Sequence, residues 1–344
     1  GLAGVCGKRA DGTRYLYGPR IATGPLDPYP AADWSAWPGF DKFVYFVGMI
    51  PVQGARGCLY DCAFCSSSAM KNALRGGYYR TRSPERIVEE VGRNALRFRD
   101  RGARYAWFWD LNFLYDRPWL EGFREAWPKA RLRLPISVFS RPDHVTEETA
   151  DILRELGCFQ VRMGIESGDE RLRNDVYRKD LSDEQVHRAA RLLHKRGIGV
   201  LGYFILGGPG ETWRTLGKTL AMAAAIRTDR PAFFVFKPMA GTRASSLIGE
   251  MEIPLDPDRA GRNSDILSQA LLDNPGLPAR WVDRVQGAAN AFFGVRILAR
   301  QLLAQRGRWF ARLAAYWRAA RREGLTAKDA LMTFFLFGYD NYRT

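Results

Sequence analysis

The chain has 344 residues, of which 46% are hydrophobic, so it can bury one large core or two smaller ones. Its formal net charge of +15 is spread along the chain without a recognised nucleic-acid motif, so we do not expect a nucleic-acid partner. No apolar run reaches the roughly 18 residues of a membrane span, and no cleavable signal pattern is present. We therefore expect a cytoplasmic protein.

Residues 1–40 contain two Gly-Pro pairs, the segment Pro-Leu-Asp-Pro-Tyr-Pro and the segment Trp37-Pro38-Gly39, which together predict an extended connector at a surface. Beyond them, apolar and amphipathic segments alternate. The predicted strands lie within Val44–Arg56 and at Tyr105–Trp109, Leu132–Phe139, Phe159–Ile165, Gly199–Leu206 and Ala232–Phe236. The predicted helices are Pro84–Arg101, Pro118–Trp127, Glu147–Leu156, Asp183–Arg196 and Thr212–Ile226. This alternation predicts an α/β fold with parallel βαβ units, but it does not distinguish an open doubly wound sheet from a barrel.

Three of the five cysteines lie close together, in the spacing Cys-x3-Cys-x2-Cys: Cys58, Cys62 and Cys65. Cysteine thiolates are the usual ligands of iron–sulfur clusters. A four-iron cluster held by three cysteines leaves one iron open to a small molecule. A zinc site would need a fourth ligand, and no other His or Cys is near in sequence. The odd, sparse cysteine count also favours a reducing compartment over a disulfide-stabilised domain.

With Phe64 before the last cysteine, this spacing resembles the signature of the radical SAM enzymes. In that family, S-adenosylmethionine chelates the fourth iron, and one electron cleaves it to a 5′-deoxyadenosyl radical that abstracts hydrogen from an unreactive carbon. The resemblance implies a [4Fe-4S] cluster on the three cysteines, S-adenosylmethionine as cosubstrate, Phe64 packed near the adenine, and an electron donor such as flavodoxin or ferredoxin. It also implies a partial (β/α)6 barrel, whose chemistry gathers at the C-terminal ends of the strands.

The ends of the second and third predicted strands carry polar residues. Asp110 resembles the acidic residue of an Asp-x-x-Phe segment found in this family, which implies that it holds the amino group of the cosubstrate. Ordinary turn chemistry explains Asp110 equally well. Ser137 and Arg141 come at the third strand and would reach the barrel mouth, where we expect Ser137 to bind the cosubstrate. A solvated arginine beside a proline turn is the simpler interpretation of Arg141.

The fourth predicted strand ends in Gly164-Ile165-Glu166-Ser167-Gly168, which resembles the same segment of a large radical SAM subgroup. The resemblance implies that Glu166 and Ser167 bind the cosubstrate. Lys179 matches the lysine of that subgroup's following Asn-Lys-Gly motif, which implies contact with the cosubstrate carboxylate. Asp180 replaces the glycine of that motif, so the local turn is expected to differ.

The fifth predicted strand ends in Gly207-Gly208-Pro209-Gly210-Glu211-Thr212. Glycines allow a ligand to approach the backbone, and amides at the start of a helix favour anionic groups. Taken alone, the segment could be only a tight turn. It resembles the Gly-x-Pro-Gly-Glu-Thr turn beside the adenosyl group in the same subgroup, which implies that Gly207, Gly208 and Gly210 bind the cosubstrate.

The order of these motifs resembles the cobalamin-associated branch of the family, in which a cobalamin-binding domain precedes the barrel. We predict three parts: residues 1–40 as the linker from that domain, residues 41–249 as the radical SAM core, and residues 250–344 as a helical region that shapes the substrate pocket. A basic amphipathic surface that contacts membranes is the alternative for the last part. The cobalamin domain and its Asp-x-His-x-x-Gly motif are not in this sequence. Because the chain starts at Gly1, we expect that domain to have been removed.

The resemblance implies a radical SAM enzyme acting on a small molecule or peptide, with cobalamin-dependent methyl transfer to an unactivated carbon as the first hypothesis. Radical cyclisation, rearrangement or oxidation without methyl transfer stays open. A tRNA methylthiotransferase would need a second cysteine triad, which Cys6 and Cys158 cannot form. A basic scaffold with a structural metal is the non-enzyme alternative. No catalytic residue is assigned.

Overall fold

The computed structural model describes residues 6–8, 11–16, 21–22, 24–73, 75–76, 78–256 and 269–305, with a few single positions between 314 and 326. Much of the region 250–344, including most of its basic aromatic segment near 309–322, therefore lies outside the described residues. None of the described helices has the length and hydropathy that a membrane-spanning helix requires.

The described strands and helices alternate through most of the chain. The strands are β1 (Cys6–Lys8), β2 (Arg14–Leu16), β3 (Ile21–Ala22), β4 (Met49–Val52), β5 (Ala55–Arg56), β6 (Arg75–Gly76), β7 (Arg80–Thr81), β8 (Tyr105–Phe108), β9 (Ile136–Ser140), β10 (Cys158–Glu166), β11 (Gly199–Leu206) and β12 (Arg230–Val235). The helices are α1 (Phe40–Val47), α2 (Ser66–Ala73), α3 (Pro84–Arg97), α4 (Arg117–Lys129), α5 (Glu147–Glu155), α6 (Asp183–Lys195), α7 (Trp213–Ala225), α8 (Arg243–Glu250) and α9 (Ala279–Gln305).

Six of these strands form one parallel sheet in the order β4-β8-β9-β10-β11-β12. Each of these strands therefore lies beside its predecessor within the sheet. A doubly wound sheet would reverse its strand order at a switch point, and this sheet does not. The order confirms the predicted α/β fold and is consistent with a partial (β/α)6 barrel.

The first predicted strand is shorter than the apolar pattern indicated. Val44 to Val47 belong to helix α1, and strand β4 begins only at Met49. The two elements are separated by Gly48, whose φ of 73° is left-handed and whose backbone N–H bonds to the carbonyl of Val44. A glycine in this conformation commonly ends a helix. An uninterrupted apolar run thus covers a helix end, a turn and a strand.

The predicted connector contains short pieces of structure and contacts the barrel. Strands β1 and β2 form an antiparallel hairpin, and β3 pairs with β6. Farther along, Leu26 is buried and its N–H donates to the carbonyl of Thr81 at 3.0 Å. The Asp27 carboxylate accepts the N–H of Ser83 at 2.8 Å. This part of the connector is therefore attached to the segment that leads into helix α3.

Side chains alternate across the sheet between a packed face and an open face. In β12 the pattern is regular: Phe233 and Val235 are buried, whereas Phe234 is partly exposed. The packed face and the surrounding helices form the main hydrophobic core. Helix α9 covers β12, where the Gln286 side chain donates to the Phe233 carbonyl at 3.1 Å. The open face leaves room for a cavity at the C-terminal ends of the strands.

Candidate active site

A cavity of about 550 Å³ lies between the cysteine loop and the C-terminal ends of β9 to β12. Half of the twelve predicted site residues line it. Those that line the cavity are Cys58, Cys62, Cys65, Phe64, Glu166 and Lys179. Those that do not are Asp110, Ser137, Ser167, Gly207, Gly208 and Gly210. The fold thus brings motifs from three separate segments to one place.

The cysteine loop is fixed by close backbone contacts at its start and in its middle. Gly57 has a left-handed φ of 91°, and a Cβ there would lie 2.2 Å from the carbonyl oxygen of Tyr78, so only glycine fits. In the middle of the loop, the Ala63 N–H donates to the Tyr177 carbonyl at 2.8 Å, and the Ala63 carbonyl accepts the N–H of Ala244 at 2.8 Å. The loop is held from both sides of the barrel mouth.

The three thiols are ligands of the kind that iron–sulfur clusters use. Among the described residues, no three His, Cys, Asp or Glu side chains converge closely enough to hold one metal ion. The thiols of Cys58, Cys62 and Cys65 instead share the wall of the cavity. The sulfur of Cys65 accepts the Ser67 N–H at 3.4 Å, a bond of the kind that tunes iron–sulfur sites. This donor set fits a [4Fe-4S] cluster.

Two cations, Lys179 and Arg141, lie near the thiols. Burial raises the pKa of all three thiols above the ordinary cysteine value, and the nearby charge of Lys179 opposes that shift at each of them. The Arg141 guanidinium lies 3.9 Å from the Cys62 sulfur. Because metal ligation requires thiolates, these two cations favour the form of the cysteines that binds iron.

A buried ion pair stands opposite the cysteine loop. Lys179 Nζ lies 2.8 Å from Glu166 Oε1, and both side chains are less than 10% exposed. Burial lowers the pKa of Lys179, but the negative charges of Glu166 and Cys62 raise it by more. The pKa of Lys179 therefore lies above the ordinary lysine value. A Cβ at Gly164 would lie 2.5 Å from Glu166 Oε1, so a larger residue there would displace the end of the Glu166 side chain. Glu166 itself has a left-handed φ of 70°, where the register of β10 shifts.

Arg141 joins the cysteine loop to the Lys179 segment. Its guanidinium lies 3.7 Å from the ring centre of Tyr60 and donates to the Lys179 carbonyl at 2.7 Å. Asp143 accepts from its Nε at 3.0 Å. The Tyr60 hydroxyl is in turn hydrogen-bonded to His144. Arg141 is 5% exposed, so the solvated arginine that its proline turn suggested is not observed.

Three other predicted residues serve the protein framework in this structure. Asp110 Oδ1 accepts the Ala55 N–H at 2.7 Å, and burial raises the pKa of Asp110 to about 7. Ser137 Oγ accepts from Arg162 Nε at 3.1 Å. Ser167 Oγ accepts the Asp169 N–H at 3.1 Å. That these three residues contact the cosubstrate remains a prediction. None of the three lines the cavity.

The backbone groups of the glycine turn, residues 207–212, form hydrogen bonds with side chains of the protein itself. The Gly207 N–H donates to the Glu211 side chain, and the Gly210 N–H donates to Asn274 Oδ1 at 3.0 Å. The amide of Asn274 also donates to the Gly208 carbonyl at 3.0 Å. Asn274 lies over 60 residues further along the chain, and no motif marks it. The amides expected to face a ligand are bound by side chains of the protein.

Tyr177 lies between the glycine turn and the cavity residue Phe64. It is fully buried, and its ring packs edge-on against the Phe64 ring, with the ring centres 5.5 Å apart. A Cβ at Gly208 would lie 2.0 Å from the Tyr177 hydroxyl oxygen. Gly208→Ala should therefore destabilise the fold by about 1–3 kcal/mol in urea unfolding. The matched change Gly217→Ala, in helix α7 with no atom within 4 Å of its Cβ, should stabilise by about 0.5–1 kcal/mol. Equal effects of the two changes would contradict this packing.

Glu211 predicts a pH dependence of stability. Burial raises its pKa to about 8 from the ordinary value of 4.5. Between these values the folded state keeps a proton that the unfolded state has released, so the free energy of unfolding falls as pH rises through this range. Glu211→Gln removes that titration and should gain stability relative to the natural protein as pH rises, by a few kcal/mol at about pH 8. Parallel pH profiles of the two proteins would refute the assignment.

Several cavity residues were not among the site residues predicted from the sequence. They are Tyr60, Arg162, Tyr203, Phe234 and Lys237. Tyr203 and Phe234 occupy positions of strands that face away from the helices, so strand alternation is the signal that could have found them. Arg162 sits within a strand of mostly buried residues, where a charged residue indicates a functional or structural partner.

Comparison with known proteins assigns the class. The Radical SAM superfamily profile matches residues 52–223, which is half of the chain and includes the three cysteines. The chain therefore belongs to the radical SAM superfamily.

Two curated relatives and a solved structure are similar to parts of the chain. The chain is 28% identical over 228 residues to an uncharacterized methyltransferase of Pyrococcus horikoshii, covering 65% of this chain and 47% of the relative. It is 27% identical over 195 residues to the cytidylyl-2-hydroxyethylphosphonate methyltransferase of Streptomyces wedmorensis, covering 55% and 35%. The cobalamin-dependent S-adenosylmethionine radical enzyme OxsB, solved with aqua-cobalamin bound, shares the fold with a TM-score of 0.66 at 15% identity, covering 93% and 51%. The chain spans less than half the length of both curated relatives.

Proposed function

We propose that this chain binds a [4Fe-4S] cluster through Cys58, Cys62 and Cys65, holds S-adenosylmethionine against it, and serves cobalamin-dependent methyl transfer to an unactivated carbon. One observation carries the proposal: the three cysteines share a cavity with Glu166 and Lys179. When bound, the cluster supplies the electron that cleaves the cosubstrate. An electron donor such as flavodoxin or ferredoxin would provide that electron.

Different residues of the chain would bind different parts of S-adenosylmethionine. Phe64 offers an apolar face to the adenine, and the Tyr177 ring behind it limits its movement. Glu166 presents a carboxylate that can accept hydrogen bonds from a ribose or an ammonium group. Lys179 keeps that carboxylate in place and adds positive charge beside the thiols. These side chains position the cosubstrate between the cysteine loop and the end of β10.

Methyl transfer is supported by the relatives, two of which are named methyltransferases. Cobalamin is supported by the fold shared with OxsB and by the motif order of the sequence. The cobalamin would be bound by a domain or chain outside the sequence described. The substrate would be a small molecule or a peptide.

Product analysis tests the proposal. The chain, together with the domain or chain that binds cobalamin, is reconstituted anaerobically with iron and sulfide, then given S-adenosylmethionine and reductant, with and without cobalamin. We expect 5′-deoxyadenosine in both reactions and S-adenosylhomocysteine only with cobalamin. Formation of 5′-deoxyadenosine alone would replace methyl transfer by a radical cyclisation, rearrangement or oxidation. Absence of both products from cluster-loaded protein would contradict the radical chemistry.

A further inference from the structure

Arg141 follows strand β9 and lines the cavity beside the cysteine loop. Its guanidinium contacts different partners on opposite sides. On one edge, Nε donates to Asp143 Oδ1 at 3.0 Å and Nη2 donates to Asp143 Oδ2 at 3.0 Å. On the other side, Nη1 donates to the Cys62 sulfur at 3.9 Å. The side chain thus links a carboxylate to one of the three cavity cysteines.

Further contacts leave this guanidinium little freedom to move. One face lies over the ring of Tyr60 in the cysteine loop, 3.7 Å from the ring centre. The Nη2 group also donates to the Lys179 carbonyl at 2.7 Å. A planar guanidinium that is held at its face and at one edge keeps its remaining nitrogen in a fixed direction. Here that nitrogen is Nη1, which faces Cys62.

The Arg141–Asp143 pair is neutral as a whole, but its positive end faces the sulfur. The carboxylate occupies the Nε–Nη2 edge, and Nη1 extends from the opposite side of the guanidinium. The Cys62 sulfur is therefore closer to the cation of the pair than to the anion. The two side chains are 6% and 19% exposed, so water screens the field of the pair only weakly.

Neighbouring groups of the cavity are arranged differently. The Cys65 sulfur accepts a neutral backbone N–H, that of Ser67, at 3.4 Å. Lys179 is engaged by the Glu166 carboxylate at 2.8 Å, and both of these side chains line the cavity. Arg141 instead brings a charged side-chain donor to a cysteine sulfur.

A donor at this position affects how easily the site takes up an electron. Hydrogen bonds to the sulfurs and the local charge are among the factors that set the reduction potential of an iron–sulfur cluster. Uptake of one electron adds one negative charge at the site, and the positive end of the Arg141–Asp143 pair stabilises that added charge. The Asp143 carboxylate, which lies behind the guanidinium, weakens the effect without reversing it.

We propose that Arg141 is a positioning residue that raises the reduction potential of the cluster through its contact with Cys62, and that Asp143 sets the size of this effect. The inference rests on the proposed function, because it requires a [4Fe-4S] cluster on the cysteine loop. It gives Arg141 a role in accepting the electron that flavodoxin or ferredoxin would provide, besides joining the cysteine loop to the Lys179 segment.

The test compares reduction potentials by redox titration followed by electron paramagnetic resonance, on the anaerobically reconstituted preparation without S-adenosylmethionine. Arg141→Met removes the donor and its charge. It should lower the equilibrium constant for one-electron reduction about tenfold, which makes the potential about 59 mV more negative. Asp143→Asn leaves the arginine without its counter-charge and should make the potential less negative. The double variant strands no carboxylate, and its potential should lie between those of the natural protein and Arg141→Met.

Arg196→Met is the matched control. Arg196 also bonds a carboxylate through two nitrogens, each 2.8 Å from an oxygen of Asp151, and its side chain is 7% exposed. It does not line the cavity, so its replacement should leave the potential unchanged.

The sign of the shifts separates a charge effect from a loosened cysteine loop, which would move both single variants in the same direction. Shifts of equal sign, shifts no larger than that of Arg196→Met, or a change confined to S-adenosylmethionine binding would overturn the proposal. If Arg141→Met binds no cluster, the signs for Asp143→Asn and the double variant decide. Iron analysis separates the two hypotheses: a natural protein without a cluster refutes both, whereas cluster-loaded variants with unshifted potentials refute only the role of Arg141.

Discussion

Replacement of Cys62 by Ala should abolish 5′-deoxyadenosine formation and remove most of the iron bound after reconstitution. Cys62 is the most buried of the three cavity cysteines, and it is the one whose sulfur lies near Arg141. With two thiols left, the site loses one of the three ligands that hold the cluster, and no other cysteine is near enough in sequence to replace it. Iron and sulfide analysis, with the product assay, measures the effect.

Cys158→Ala is the matched control for this change. Cys158 is also buried, but it begins strand β10 in the main hydrophobic core and does not line the cavity. Its loss should lower the free energy of unfolding modestly and leave iron content and 5′-deoxyadenosine unchanged. If Cys62→Ala kept its turnover, or if both variants lost it equally, the cysteine loop would not be the cluster site.

Breaking the Glu166–Lys179 pair should have the second largest effect. Lys179→Met leaves the Glu166 carboxylate buried without its partner at 2.8 Å, and removing one member of such a pair costs about 3–5 kcal/mol. Adding Glu166→Gln neutralises the stranded charge and should restore part of that loss. Urea unfolding of the two single variants and the double variant gives the coupling energy between the two residues.

A surface pair provides the comparison. Arg86 and Glu89 lie 3.0 Å apart on helix α3, but their side chains are 44% and 58% exposed. Arg86→Met should therefore cost at most about 1 kcal/mol. If Lys179→Met also lowered the free energy of unfolding by at most about 1 kcal/mol, the Glu166–Lys179 pair would be solvated. Both single changes at the buried pair should also weaken the binding of S-adenosylmethionine, whereas Arg86→Met should not.

Sequence alone located the fold and the cysteine side of the cavity because both depend on local patterns. The βαβ alternation is readable from short windows; helix α6, for example, is capped by Ser182 and begins at Asp183 as predicted. The cysteine spacing and the Gly-Ile-Glu-Ser-Gly segment are equally local. The parallel order of the sheet then places the C-terminal ends of different strands at one edge, beside the cysteine loop, so six predicted residues line one cavity.

The rest depends on contacts between distant segments. The stacking of Arg162 on Trp107 follows from the register of β8, β9 and β10, which no single window contains. The amides of the glycine turn were predicted to bind a ligand because a hydrogen-bond partner of the turn, Asn274, is far away in sequence. Likewise, the apolar run before the cysteine loop could not reveal that Gly48 divides it into a helix and a strand.

The most direct test of a cosubstrate-binding cluster on these three cysteines is electron paramagnetic resonance of the reduced, reconstituted protein before and after addition of S-adenosylmethionine. We expect the signal of a reduced [4Fe-4S] cluster whose g-values shift when S-adenosylmethionine binds the iron without a protein ligand. A cluster signal that S-adenosylmethionine leaves unchanged, or no cluster signal in fully loaded protein, would contradict the account.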